Sequence, residues 1–261
     1  MSQPTNSNGT DPAKDEFYSG YAPLPPSIKR FLFKFIPLLI VGVLVFAIAL
    51  PTVHDQFNLG RFRGGTLEGF LAADPVPHIL VPRPGKTESG AIQFSRYPLS
   101  GTNKAGPRKA ILKHLGQWVE LRGAVVHRDH FTMVAAARAE PIEAPIDTPV
   151  DPKKGNSLGE FSLTGEILDG KCYPGIMKPG QGKTHRACAI RCIAGGVPAV
   201  FRVHNAQNAV MYFLLADSQG KAVNDQILDM VADPIRITGT VMQYDDMYVL
   251  QADPDTYERQ A

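Results

Sequence analysis

Residues 31–50 read FLFKFIPLLIVGVLVFAIAL, twenty positions whose only charge is Lys34. A helix needs ~20 apolar residues to cross the hydrocarbon core, where no water satisfies free backbone groups. The run has no polar face, which argues against a half-buried helix of a soluble core. It predicts a transmembrane anchor over residues 29–53, with the Lys34 ammonium snorkelling to the interface. Lys29, Arg30 and Lys34 cluster on its N-terminal side, whereas Arg61 and Arg63 on the other side are partly balanced by Asp55. By the positive-inside rule the N-terminus is cytoplasmic and the body periplasmic, giving a single-pass inner-membrane protein. Ala47-Ile48-Ala49 has signal-peptidase spacing, but the long leader and Pro51 favour an uncleaved anchor. Residues 1–28, rich in Ser, Asn, Asp, Gly and Pro, are expected as a disordered cytoplasmic tail.

The remaining two hundred or so residues can bury a sizeable core. A net charge of +2 supplies no basic footprint, so nucleic acid is not an expected partner. Twenty-two prolines and 24 glycines favour short strands and turns over long helices.

This body repeats itself. Residues 117–129, QWVELRGAVVHRD, align without gaps on residues 233–245, DPIRITGTVMQYD. Val119, Leu121 and Val125 match Ile235, Ile237 and Val241, and each run alternates apolar and polar residues before an Asp-containing turn. Second strands follow at 131–136 and 247–252, so both units end in a hairpin. Gly65 and Gly165 are expected as matching glycines at sharp bends in the opening strands. Between opening strand and hairpin, each unit offers two short strands and a helix: 78–81, 92–97 and 108–115, then 199–203, 210–215 and 224–231.

Strand, strand, strand, helix, strand, strand is the order of the OB-fold, and both units resemble it. The expected class is therefore mainly β: one N-terminal transmembrane helix, then two small OB-like barrels, the second with a Cys/His helical insertion. The expected boundaries are module 1 at 60–145, a linker at 146–159, module 2 at 160–253 with its insertion at 169–196, and a tail at 254–261. The hairpin residues His127, Arg128, Asp129 and His130 read as a solvated turn, and Trp118, Phe161, Phe201, Tyr212 and Phe213 as core or barrel-face residues.

The insertion, KCYPGIMKPGQGKTHRACAIRCIAGG at 171–196, holds all three cysteines. A helix starting after Thr184, as N-cap, and stopped by Gly195-Gly196 would place His185, Cys188 and Cys192 on one face at i, i+3 and i+7. Cys172, from the preceding turn, could close over that face. A set of three thiolates and one imidazole suits a zinc or copper ion. Two other readings use the same residues: a disulfide from Cys172 to Cys188 or Cys192, expected of an exported protein, and a thiol catalyst centred on Cys188. Gly180-Gln181-Gly182-Lys183-Thr184 imitates the end of a P-loop, but Met177 stands where the first glycine belongs, so the glycines read as turn-formers.

Neither a nucleophile–base pair nor paired carboxylates stand out, and the sequence reads as a non-enzyme. The expected function is a membrane-anchored metal-binding accessory or assembly protein of a membrane complex, with a protein partner there and respiration as the candidate setting. The alternatives are a disulfide-stapled interaction module and a haem or metal chaperone. An N-terminal anchor with a periplasmic OB barrel is similar to the bacterial haem chaperone of cytochrome c maturation. That family implies a haem-binding histidine near the C-terminal end of the barrel, whereas no histidine follows His204 in this chain.

Overall fold

The computed structural model of the chain describes residues 24–53, 61–85, 92–145, 150–175, 177–207 and 209–260. Met1–Gln56 and Phe57–Ala261 form two compact units. In the first, helix α1 spans Pro26–Val53 and is long and apolar enough to cross a membrane, as an anchor or as a signal sequence. It contains the whole of the predicted anchor and residues 26–28 of the predicted tail; residues 1–23 lie outside the described residues.

The second unit holds two closed barrels. Strands β1 (Arg61–Ala72), β2 (His78–Pro82), β3 (Phe94–Ser100), β4 (Trp118–Arg128) and β5 (Phe131–Pro141) close in the order β1-β2-β3-β5-β4. Strands β6 (Asn156–Asp169), β7 (Ala199–His204), β8 (Val210–Ala216), β9 (Pro234–Tyr244) and β10 (Met247–Gln251) repeat that order, and β10 pairs with β9 to close the ring. In each barrel the third and last strands run parallel and the other pairings are antiparallel. This is the OB-like arrangement expected from the repeat. The internal repeat falls on β4 and β9, two eleven-residue strands of the same register.

Four expectations need correction. The first-barrel helix is one short turn, α2 (Lys109–Leu112), and its counterpart is a pair of 3-10 turns at Asn224–Gln226 and Leu228–Met230. Strand β6 begins at Asn156, inside the predicted 146–159 linker, because Asn156 pairs with Gln243. Residues 254–260 are no loose tail: Pro254–Thr256 turns, and β11 (Glu258–Arg259) adds to the edge of β9. Finally, Gly65 is not the counterpart of Gly165. Gly69 faces Val119 and Gly165 faces Ile235, the two positions the repeat equates, so Gly69 matches Gly165. A Cβ on Gly69 would lie 2.5 Å from the Leu80 carbonyl oxygen, whereas one on Gly65 would meet nothing within 4 Å.

Each barrel has its own core. Leu71, Ile79, Leu99, Val119 and Leu121 fill the first. Phe201, Ile235, Ile237, Val241 and Leu250 fill the second, together with Ala189 and Ile193 from the insertion helix α3 (Arg186–Ala194). A third apolar cluster joins Val126, Phe131 and Met133 of the first barrel to Leu168, Tyr212 and Leu214 of the second. The barrels thus share buried apolar surface, the dominant favourable term in such packing. This is why the hairpin expected to be solvated is so only in part: His127 and His130 are exposed, but Arg128 and Asp129 turn inward. The Arg128 and Asp129 side chains are only 12% and 25% exposed. Asp129 accepts from the Tyr212 hydroxyl at 2.6 Å, and the Arg128 guanidinium lies 4.2 Å over the Tyr173 ring.

Candidate metal centre

The insertion occupies residues 170–198, between β6 and β7; the matching connection in the first barrel, between β1 and β2, is residues 73–77. It departs from the sheet at Asp169, the last residue of β6, whose carboxylate Oδ1 accepts from the backbone N–H groups of Lys171 (3.2 Å) and Cys172 (2.6 Å). That turn, in which an Asp side chain caps the backbone two and three residues on, brings Cys172 back over the end of the barrel. The chain returns through Gly182, whose φ of +69° suits glycine and whose N–H donates to Glu166 at 2.5 Å. Lys183, the would-be P-loop lysine, is paired with Asp233.

Helix α3 begins one residue later than expected. His185 is its N-cap, and the Thr184 hydroxyl donates to the Gln181 carbonyl instead of capping. Ala189 and Ile193 face the barrel core, and Cys192 packs with Cys172 and Val197 in a small cluster against which Cys188 is half buried. The helix stops at Gly195 and at Gly196, which has φ +93°.

The four predicted residues converge on Cys172. Ligand atoms of Cys172, His185 and Cys188 lie within 4.8 Å of one another, and so do those of Asp169, Cys172 and Cys192. The Cys172 and Cys192 sulfurs are 3.7 Å apart. All three cysteines are free thiols, so the expected disulfide staple is not formed.

Three further residues went unread in the sequence. Asp169 accepts from His185 Nε2 at 2.8 Å, and both side chains are at least 98% buried. Its only signal was an acid placed just ahead of the cysteine segment. Lys104 comes from the first barrel and donates to the Cys188 sulfur at 2.9 Å. The buried Lys171 reaches the other way, to the carbonyl oxygens of Gly101 (2.6 Å) and Asn103 (2.7 Å). Gly106 N–H also donates to the Gly195 carbonyl at 2.7 Å, so the 101–106 loop of the first barrel covers the second barrel's insertion. Nothing local in sequence links residues 104 and 188.

Electrostatics follow from this crowding. The hydrogen bond with Asp169, then that with Cys172, raises the His185 pKa to about 9. The contact with Cys192 and burial push the Cys172 thiol well above its ordinary value, although His185 opposes them. Burial lowers the Lys171 ammonium, while contact with the Cys188 sulfur raises that of Lys104. Because a metal takes thiolates, an ion bound there displaces the proton that Cys172 holds so firmly.

The sequence matches no family profile and no curated protein. Among solved structures, a deletion mutant of the single-stranded DNA binding protein from Thermus aquaticus is similar at 15% identity and a TM-score of 0.21, over 76% of this chain and 96% of that one. The OB-like assignment rests on strand order and pairing alone.

Proposed function

We propose that the chain is a membrane-anchored, extracytoplasmic metal-binding accessory or assembly protein of a membrane complex, holding zinc or copper through Cys172, His185, Cys188 and Cys192. One observation carries the reading. With metal–sulfur bonds of about 2.3 Å, the edge of a tetrahedral thiolate site is about 3.8 Å, and the Cys172 and Cys192 sulfurs stand 3.7 Å apart. The Asp169–His185 contact supports it. A carboxylate that accepts from one ring nitrogen fixes the tautomer and leaves the other, Nδ1, to a metal. Bound there, the ion would tie the insertion to the barrel and neutralise the thiolates; Lys104 and Lys171 supply further positive charge from the surroundings.

Helix α1 supports attachment to a membrane, and the basic cluster Lys29, Arg30 and Lys34 supports a cytoplasmic N-terminus. The partner would be a subunit of that membrane complex. Elemental analysis of the full chain, purified in detergent without chelator, tests the metal reading. About one equivalent of zinc or copper is expected, lost in Cys172→Ser, because Cys172 belongs to both ligand groups. Equal metal content in wild type and variant sinks the reading. Removal of residues 1–57 is expected to release the body from membranes; a fragment that still sediments with them overturns the anchor.

A further inference from the structure

The three thiols are graded in access. Cys192 is fully buried, Cys172 is 7% exposed and Cys188 is half buried, with Lys104 against its sulfur. They are also chained: Cys188 lies within 4.8 Å of Cys172, and Cys172 lies 3.7 Å from Cys192. A metal site needs all the sulfurs near the ion, but it does not need one at the surface and two beneath it.

From this grading we infer that the cluster is also a thiol relay for hydroperoxides, in which Cys188 takes the oxidising equivalent and the buried Cys172–Cys192 pair stores it as a disulfide. The inference shares its three cysteines with the metal reading but needs neither His185 nor a metal. In the first step the Cys188 thiolate attacks the peroxide O–O bond. It becomes a sulfenic acid, and the expelled hydroxide, or alkoxide from an organic peroxide, takes up the proton that the Cys188 thiol gave up and leaves as water or an alcohol. In the second, the Cys172 thiol condenses with that sulfenic acid, forming a Cys172–Cys188 disulfide and a second water. In the third, the Cys192 sulfur attacks the Cys172 sulfur and expels Cys188 as a thiolate, which takes up the proton lost by the Cys192 thiol and leaves the Cys172–Cys192 disulfide. Two electrons pass from two thiols to one peroxide, and Cys188 ends as it began. An external dithiol resets the pair. If the metal reading also holds, the stored disulfide removes two of its three sulfur donors and oxidation releases the ion.

The test uses the full chain in detergent, stripped of metal with a chelator and treated with one equivalent of hydrogen peroxide. Free thiols should fall from three to one, and peptide mass mapping should place the disulfide between Cys172 and Cys192. Cys188→Ser should form that disulfide at least tenfold more slowly. Cys172→Ser should instead trap Cys188 as a sulfenic acid, labelled by dimedone. Three surviving thiols, or a Cys172–Cys192 disulfide formed in Cys188→Ser at the wild-type rate, overturns the relay. Because metal content is measured separately, a chain that binds zinc or copper can still fail here, and one that binds none can pass.

Discussion

Asp245 of the second hairpin reaches Arg96 of the first barrel at 2.7 Å, and the register-equivalent Asp129 of the first hairpin reaches Tyr212 of the second barrel at 2.6 Å. Arg96 and Tyr212 are themselves equivalent, since Arg96 pairs with Leu80 in β3–β2 and Tyr212 with Arg202 in β8–β7. The two OB-like barrels therefore grip each other reciprocally, like the two halves of a symmetric dimer. Both hairpin acids have positive φ, 53° and 52°, the tight-turn conformation that Asp tolerates better than most residues.

Arg96 is the heavier half of this exchange. Its side chain is 2% exposed and also donates to the Pro152 carbonyl at 2.6 Å. Arg96→Ala strands a partly buried carboxylate and a carbonyl, so a loss of about 3 kcal/mol is expected in chemical denaturation, the lower end for breaking a buried pair because Asp245 is 30% exposed. A loss below about 1 kcal/mol would place this contact with ordinary surface ion pairs.

Beside Arg96, His78 is fully buried, and its Nε2 lies 3.3 Å from an Arg96 nitrogen. Arginine only donates, so Nε2 accepts and Nδ1–H donates to the Val76 carbonyl at 2.9 Å: the ring is neutral. Burial, with the Arg96 charge assisting, lowers its pKa from 6.5 to about 4. The unfolded chain takes up this proton first, so the stability is fully present above pH 6.5 and drains away as pH falls to about 4. The wild type should lose about 3 kcal/mol more than His78→Asn between pH 7 and 4. Parallel pH profiles for the two proteins would show that His78 is not the group responsible.

The fold was legible because its signals are local or repeated. The 31–50 run, the matched 117–129 and 233–245 segments and their hairpins are each read from one short stretch of chain or two matching ones. The proximity of the cysteines and His185 was half legible. His185 caps the short helix that carries Cys188 and Cys192, so spacing pointed to all three, and the long insertion marks Cys172; the structure joins His185 and Cys188 to Cys172 in one group and Cys192 to Cys172 and Asp169 in another. Asp169, Lys104 and the reciprocal acids were not legible, because each is defined by a partner 16 or more residues away that only the closed barrels bring near. The glycine mismatch has the same origin. Gly65 resembles Gly165 in its neighbours along the chain, but pairing across the strands selects Gly69.

That correction is testable. A methyl on Gly69 meets the Leu80 carbonyl oxygen at 2.5 Å and the Ile79 side chain at 2.7 Å, so Gly69→Ala should cost about 1–3 kcal/mol. Gly65→Ala enters open space and should be neutral or stabilising by up to about 1 kcal/mol, since alanine restricts the unfolded chain. Thermal unfolding of the two variants decides the matter. If Gly65→Ala proves the more damaging, the bend lies where the sequence alone placed it.

The last expectation separates orientation from ligation. Asp169 touches no solvent; it holds His185 through Oδ2 and the backbone of Lys171 and Cys172 through Oδ1. Asp169→Asn keeps the size and an oxygen acceptor but removes the charge, so one of these two demands is met by the wrong end of the amide. All four proposed ligands remain. Metal affinity should fall roughly 10–100-fold, the usual cost of losing a carboxylate behind a ligating histidine, with stoichiometry unchanged in a chelator-competition titration. Unchanged affinity would mean that His185 needs no orienting partner. Complete loss of binding, with the barrels still folded by circular dichroism, would place Asp169 itself among the ligands, in the group it already forms with Cys172 and Cys192.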